Sequence, residues 1–438
     1  MTKYFSWCLL LATSIMQAQF TFKGTIDNYA GKRALLKLNT AFDGVVAGTI
    51  TTDASGKFSI PIKEKYTGVL TLSLLDAKQD HIFISDNTNI DFKASLDSDN
   101  QFYLIDAGNA LNTAYRNYLS YNNKKTTSLP QLETLINSYK PSDAFYSQIQ
   151  AEIKNINSLP ESDYTKYPYL AYYIPASKLA ESLKKNNTKD YAAAKEIIIE
   201  QFANSGEEFE TSGLGKGLLY NYFVLSTTGI SSADQENKID QAVQTLLDEA
   251  GEETSRGQEI LAAAIDMLIS YGVDKVAEKY MAKAQSMTCE ITPELKETLA
   301  KNNNIKVGKI IPNVAFTHKL AGKYNSLYDI KTSYKLILVW ASWCSHCQQE
   351  MPYVKQFYDR FKKSGGEIIA LSVDYSKEDW EKAIVDFTWL NDSELLGWDS
   401  DFVKTLNISG TPTLILVDNN NKILKITSRI SEIANTVK

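Results

Sequence analysis

Cys344-Ser345-His346-Cys347 sets two thiols three positions apart, directly behind Trp343 and the apolar run Leu336-Ile337-Leu338-Val339-Trp340-Ala341. A strand pattern ends there and a helical pattern begins. Thiols at that spacing, opening a helix, can close a reversible disulfide. The thiolate is the reactive form of cysteine, and a free cysteine has a pKa of about 8.5, so something must favour the anion near neutral pH. A helix N-terminus does this through its unpaired N–H groups and its macrodipole. Cys344 falls where the helix would start. His346 adds positive charge when protonated. The dipeptide Ser345-His346 tunes redox poise, because stabilising the thiolate stabilises the reduced form. Cys347 falls inside the first turn, where it should be less exposed and should attack the mixed disulfide that Cys344 forms.

A structural zinc knuckle is the competing reading, and zinc requires four ligands, usually as a second Cys or His pair. Beyond the first 18 residues, the sequence offers only Cys289 and the histidines His81, His318 and His346, with no second paired spacing. Ligand count therefore argues against metal. Cys289, between helical stretches, reads as a buried, inert thiol.

The elements that must hold this pair come from a long chain. At 438 residues it exceeds one ordinary core, so two or three domains are expected. Residues 1–18 read as a signal peptide: Lys3 supplies the positive start, Tyr4 to Met16 is mostly apolar, and Met16-Gln17-Ala18 offers a small residue for cleavage. Cys8 lies in that apolar part. The segment is shorter than the roughly 20 residues that span a bilayer. Export to the periplasm or cell envelope is the expectation. The net charge of −6 argues against a nucleic-acid partner, for which a basic patch is the usual footprint.

Residues 19–106 read as β-rich. Short runs such as Ala34–Leu38, Val45–Ile50 and Val69–Leu74 are separated by turns such as Asp53-Ala54-Ser55-Gly56-Lys57, which suggests an all-β sandwich-like domain. Residues 107–305 read as an all-α region. Ile260, Leu261, Ala264, Ile265 and Leu268 share one helix face that Gly272 ends, and a second helix follows from Asp274. Tyr164, Tyr167, Tyr169, Tyr172 and Tyr173 form a cluster interrupted by Pro168 and Pro175, better read as a core stripe than as a binding surface. Residues 306–438 alternate β and α. A helix is expected from Cys344 to about Ser364 and a strand over 367–373. Ser376 should cap a helix running through Phe387, and strands follow over 414–417 and 423–427. Asp374 ends a strand and reads as a capping or solvated residue, since nothing in the sequence pairs it with the thiols.

From about Val307 onward the sequence resembles the thioredoxin fold, and within it the TlpA/ResA-like thiol-disulfide oxidoreductases of the bacterial cell envelope. The motifs are Trp340-Ala341-Ser342-Trp343-Cys344-Ser345-His346-Cys347, then Glu350-Met351-Pro352, then Gly410-Thr411-Pro412-Thr413 ahead of an apolar strand. The resemblance implies a redox-active disulfide with no organic cofactor and no metal. It implies client proteins bearing thiols or disulfides, and a redox partner protein that could sit in the membrane. It also implies a cis Pro412 facing the disulfide, with Thr411 and Trp343 meeting the client. Glu350 would pass protons to and from Cys347, with which it shares a helix face. The helix is expected to kink at Pro352. His346 departs from the Glu-Pro type of dipeptide carried by many reducing members and leaves the direction of electron flow open. The β-rich segment resembles an N-terminal domain of unknown function found ahead of thioredoxin domains in Bacteroidetes.

Two other functions compete. A peroxiredoxin-like peroxidase would need Pro-x-x-x-Thr-x-x-Cys, but those places hold Ile337 and Ala341. A client-binding module with a scaffold thioredoxin domain would have no need of both thiols.

Overall fold

The computed structural model describes residues 19–408 and 410–437, apart from the side chains of 303, 304, 318 and 319. Residues 1–18, with Cys8, and the His318 side chain lie outside what is described. The chain divides into two compact units, residues 1–176 with 210–213, and residues 177–209 with 214–438.

The first unit opens with eight strands: β1 (Phe20–Asp27), β2 (Arg33–Asn39), β3 (Gly44–Thr51), β4 (Lys57–Ile62), β5 (Thr67–Leu74), β6 (Gln79–Asp86), β7 (Ile90–Leu96) and β8 (Phe102–Asp106). They form two four-stranded sheets, in the orders β4-β1-β7-β8 and β3-β2-β5-β6. Alternation is clean in β4 and β7, where every second residue is buried. Phe22, Phe58 and Phe92 of the first sheet share one core with Leu36, Leu70, Leu72 and Phe83 of the other. That is a sandwich, as the pattern of short strands and turns predicts. The unit continues with α1 (Ala110–Asn123), α2 (Leu129–Leu135), α3 (Ala144–Ser158) and the start of α4 (Pro168–Ser182). Tyr169 and Tyr173 are buried and pack with Tyr115, while Tyr164 packs on Tyr118, so the tyrosine cluster is a core stripe. Pro175 does not interrupt, because α4 runs across it. The carbonyl it leaves unbonded, at Ala171, belongs to an exposed residue that water can reach.

The second unit carries α5 (Tyr191–Asn204), α6 (Gly215–Thr227), α7 (Ser232–Ala250), α8 (Ser255–Ser270), α9 (Asp274–Gln285) and α10 (Pro293–Asn304). Gly272, with φ of 72°, ends α8. Its N–H bonds to Ile269 and that of Val273 to Leu268, the paired bonds of a Schellman cap. Cys289 is half-buried rather than buried, and its sulfur receives Gln258 Nε2 at 3.6 Å.

The same unit ends in β9 (Ala315–Leu320), β10 (Tyr324–Ser326), β11 (Tyr334–Trp340), α11 (Ser345–Lys363), β12 (Gly366–Ser372), α12 (Lys377–Ala383), β13 (Leu390–Asp392), α13 (Asp401–Thr405), β14 (Thr413–Asp418), β15 (Ile423–Thr427) and α14 (Ile430–Ala434). Five of the strands form a sheet in the order β13-β12-β11-β14-β15. β11 is central, parallel to β12 and antiparallel to β14. Leu336 to Ala341 is buried throughout, because both sheet faces are covered. α12 stops at Ala383, four residues short of the expected end. Phe387 instead leaves the helix path to stack on Trp389 and pack tilted against Trp340, at 4.6 and 5.2 Å between ring centroids.

Candidate active site

The central strand delivers the thiols. β11 ends at Trp340, and four residues later Cys344 becomes the N-cap of α11 with an extended backbone. Its Sγ accepts the backbone N–H of Cys347 at 3.1 Å, so the sulfur occupies the place of a capping oxygen. Cys344 and Cys347 are joined as a disulfide, with Cα atoms 5.2 Å apart. Cys344 is 7% exposed and Cys347 1% exposed, an asymmetry that presents one sulfur to a partner and withholds the other.

β14 delivers the opposite wall. The Thr411–Pro412 peptide is cis. The Thr411 carbonyl oxygen lies 3.4 Å from Cys344 Sγ, and Pro412 is buried beside it in the chain. Trp343, at the rim, is 43% exposed. Ser345 and His346 both face solvent on the first turn of α11. The Cys-x-x-Cys turn and the Thr411-Pro412 segment thus meet at a disulfide whose two cysteines are both largely buried.

Glu350 is half-buried, on the helix that carries the thiols. Its Oε1 accepts the N–H of Ile430, the first residue of α14, at 2.6 Å. α11 continues through Pro352 as one helix to Lys363. Among the described residues, no group of three or more His, Cys, Asp or Glu side chains could hold a metal ion, and no helix is long and apolar enough to cross a membrane.

Asp374 requires a correction. It is neither solvated nor a helix cap: it is 1% exposed and bonded to the loop that carries Cys344. Its Oδ2 accepts the Ser342 N–H at 3.0 Å and its Oδ1 accepts the Ser342 Oγ–H at 2.6 Å. Ser372 Oγ also donates to Oδ2, at 2.5 Å. The signal was in the parallel register. Trp340 pairs with Ser372, and two steps past each lie Ser342 and Asp374. Side chains at the carboxyl ends of adjacent parallel strands share a crevice. Gln348, exposed on α11, donates from Nε2 to the Ser342 carbonyl at 2.7 Å.

Known proteins resemble the part of the chain that carries this site. Residues 333–423 match a family model described as thioredoxin-like. The thiol-disulfide oxidoreductase ResA of Bacillus cereus is 30% identical over 129 residues, covering 29% of this chain and 72% of that protein. ResA of Geobacillus kaustophilus is 30% identical over 122 residues, 28% of this chain and 69% of that protein. Among solved structures, the thioredoxin domain of a thiol-disulfide oxidoreductase from Bacteroides vulgatus is 32% identical and covers 30% of this chain and 95% of that one, with a TM-score of 0.28.

Proposed function

Because the chain belongs to the TlpA/ResA-like thioredoxin-fold thiol-disulfide oxidoreductases, we propose that it is exported and exchanges disulfides with client proteins of the cell envelope. The reading rests above all on Cys344 Sγ, closed onto Cys347 at the mouth of α11 and lying 3.4 Å from the Thr411 carbonyl. Export is supported by the charge and apolar pattern of residues 1–18.

In the reducing direction, the Cys344 thiolate attacks one sulfur of a client disulfide and expels the other as a thiolate. A mixed disulfide links protein and client. The Cys347 thiolate then attacks Cys344 Sγ, the mixed disulfide breaks, and the client leaves with both sulfurs reduced. Two electrons pass to the client, two protons complete its thiols, and Cys344–Cys347 is left oxidised. The oxidising direction is the same path reversed. The helix N-terminus stabilises Cys344 as nucleophile and as leaving group. Glu350 takes the proton from Cys347 before the second attack. Thr411 offers its backbone to an extended stretch of client in the manner of an added strand, with Trp343 packing against it. The chemistry resides in the two sulfurs and calls for no organic cofactor or metal. A second protein with its own thiol pair resets the enzyme.

The test is twofold. Purified protein titrated in glutathione buffers should gain and lose two electrons at the Cys344–Cys347 pair. Cys347→Ser, expressed in the native envelope, should accumulate mixed disulfides that release identifiable partners on reduction. A pair that never cycles would end the proposal.

A further inference from the structure

We infer that Asp374 is a positioning residue for the nucleophile: by clamping Ser342 it fixes the Trp343-Cys344 loop so that Cys344 Sγ meets the N-terminal N–H groups of α11. The inference rests on the disulfide-exchange reading above and assigns a residue outside the Cys-x-x-Cys segment to it.

The geometry is that of a rigid clamp. A carboxylate 1% exposed receives three hydrogen bonds, from Ser342 N, Ser342 Oγ and Ser372 Oγ, at 3.0, 2.6 and 2.5 Å. Its own N–H returns to Ser372 Oγ at 2.9 Å. Ser372 lies in the sheet and is held from the far side by Ser393 Oγ, which donates to its carbonyl at 3.0 Å. Hydrogen bonds to an ionised acceptor are the short, strong kind. The chain from β12 to Ser342 is therefore continuous and buried, and Cys344 follows two residues on. Cys344 N–H bonds back to the Ala341 carbonyl at 3.2 Å, so the turn from Ala341 to Cys344 closes on the clamped residue. The capping contact that favours the thiolate spans 3.1 Å, a range in which small displacements matter.

Charge alone predicts the opposite of positioning. A buried carboxylate near Cys344 disfavours the thiolate by repulsion, so removing the charge would make Cys344 more acidic. A clamp favours the thiolate by holding it at the helix mouth, so removing the clamp makes Cys344 less acidic. Asp374→Asn removes the charge at nearly constant shape and weakens the clamp. Ser342→Ala leaves the charge and removes only the 2.6 Å bond.

The experiment measures the alkylation rate of Cys344 against pH in the full reduced chain, in a Cys347→Ser background. With a clamp, Asp374→Asn slows alkylation at pH 6.5 by about tenfold, one unit of thiol acidity. Ser342→Ala slows it by about threefold, in the same direction. Faster alkylation in Asp374→Asn, or unchanged profiles in both variants, overturns the inference. If Asp374→Asn does not fold, Ser342→Ala decides alone. If the unsubstituted pair fails to cycle with glutathione, the function proposal falls; if it cycles while both profiles stay put, only the role of Asp374 falls.

Discussion

Glu350 Oε1 accepts the N–H of Ile430 at 2.6 Å, so the helix bearing both thiols is tied to the first residue of the last helix. The same carboxylate satisfies an orphan donor at a helix start and stands one turn from Cys347. The two jobs separate under substitution. Glu350→Gln keeps an acceptor oxygen and loses the titratable proton. It should leave stability within about 0.5 kcal/mol and slow the Cys347 step about tenfold or more in stopped-flow reduction of a client disulfide. Glu350→Ala removes both, and should also destabilise by about 1 kcal/mol and speed hydrogen exchange over 430–434. Equal rates for Glu350→Gln and the parent protein would confine Glu350 to the structural job.

The exposures of the two sulfurs predict a one-sided reactivity. In reduced protein at pH 7, iodoacetamide should modify Cys344 at least about tenfold faster than Cys347, because only a thiolate both exposed and stabilised reacts. Peptide mapping after brief labelling reads the ratio. Comparable labelling of both would remove the order of attack proposed above.

How far these features could be read from sequence depended on the range of the interaction. Cys344 as N-cap, the end of α11 ahead of Gly365, and the Gly272 cap were legible because each is local, set by a few residues and one backbone bond. The sandwich was legible from alternation and turns, but its strand order was not, because β1 pairs in parallel with β7 across some 60 intervening residues. Asp374 was misread for the same reason: its partner Ser342 is 32 positions away and becomes a neighbour only once β11 and β12 are in register. The early end of α12 reflects tertiary packing overriding helix pattern, with Phe387 drawn onto Trp340 and Trp389.

His81 sets an acid limit on the β-sandwich. Its ring stacks on Phe102 at 3.7 Å between centroids, joining β6 to β8, and its buried Nε2 has no hydrogen-bond partner among the described residues. Burial pushes the imidazole down to about 4, against a weaker opposing pull from Asp80. The folded state thus keeps His81 neutral while the unfolded chain protonates near 6.5. Between those values the unfolded state binds more protons, so stability falls as pH drops from 6.5 to 4. Partial exposure of the ring limits the loss to about 1–3 kcal/mol. Hydrogen exchange in peptides covering 79–86 and 102–106, corrected for intrinsic rate, should show protection lost across this window. His81→Phe should flatten the dependence, and an unchanged slope in that variant would place the titration elsewhere.

Lys335 predicts the opposite limb of the pH profile for the second unit. This lysine is 1% exposed at the start of the central strand. Its Nζ donates to the carbonyls of Leu327 and Ile330, at 3.4 and 3.1 Å, and to Asn421 Oδ1, so it joins the loop entering β11 to the turn between β14 and β15. Burial pulls the ammonium down to about 8, with Lys331 adding to the shift and Asp418 opposing it. Below pH 8 both states carry the proton, and the folded state bears the full penalty of the buried charge. From pH 8 to about 10.4, the ordinary value for lysine, only the unfolded chain holds it, so stability rises with pH by an amount on the order of 1–3 kcal/mol. Lys335→Met abolishes that rise. It also leaves three acceptors without a donor, but that loss does not vary with pH. The stability of Lys335→Met relative to the parent should therefore decline steadily from pH 8 to 10.4, whatever its sign at pH 7. Tryptophan fluorescence during denaturation measures this in the right place, since Trp340, Trp343, Trp380, Trp389 and Trp398 are all in this unit and Trp7 alone lies outside it. A pH-independent difference would mean that Lys335 titrates as an ordinary solvated lysine.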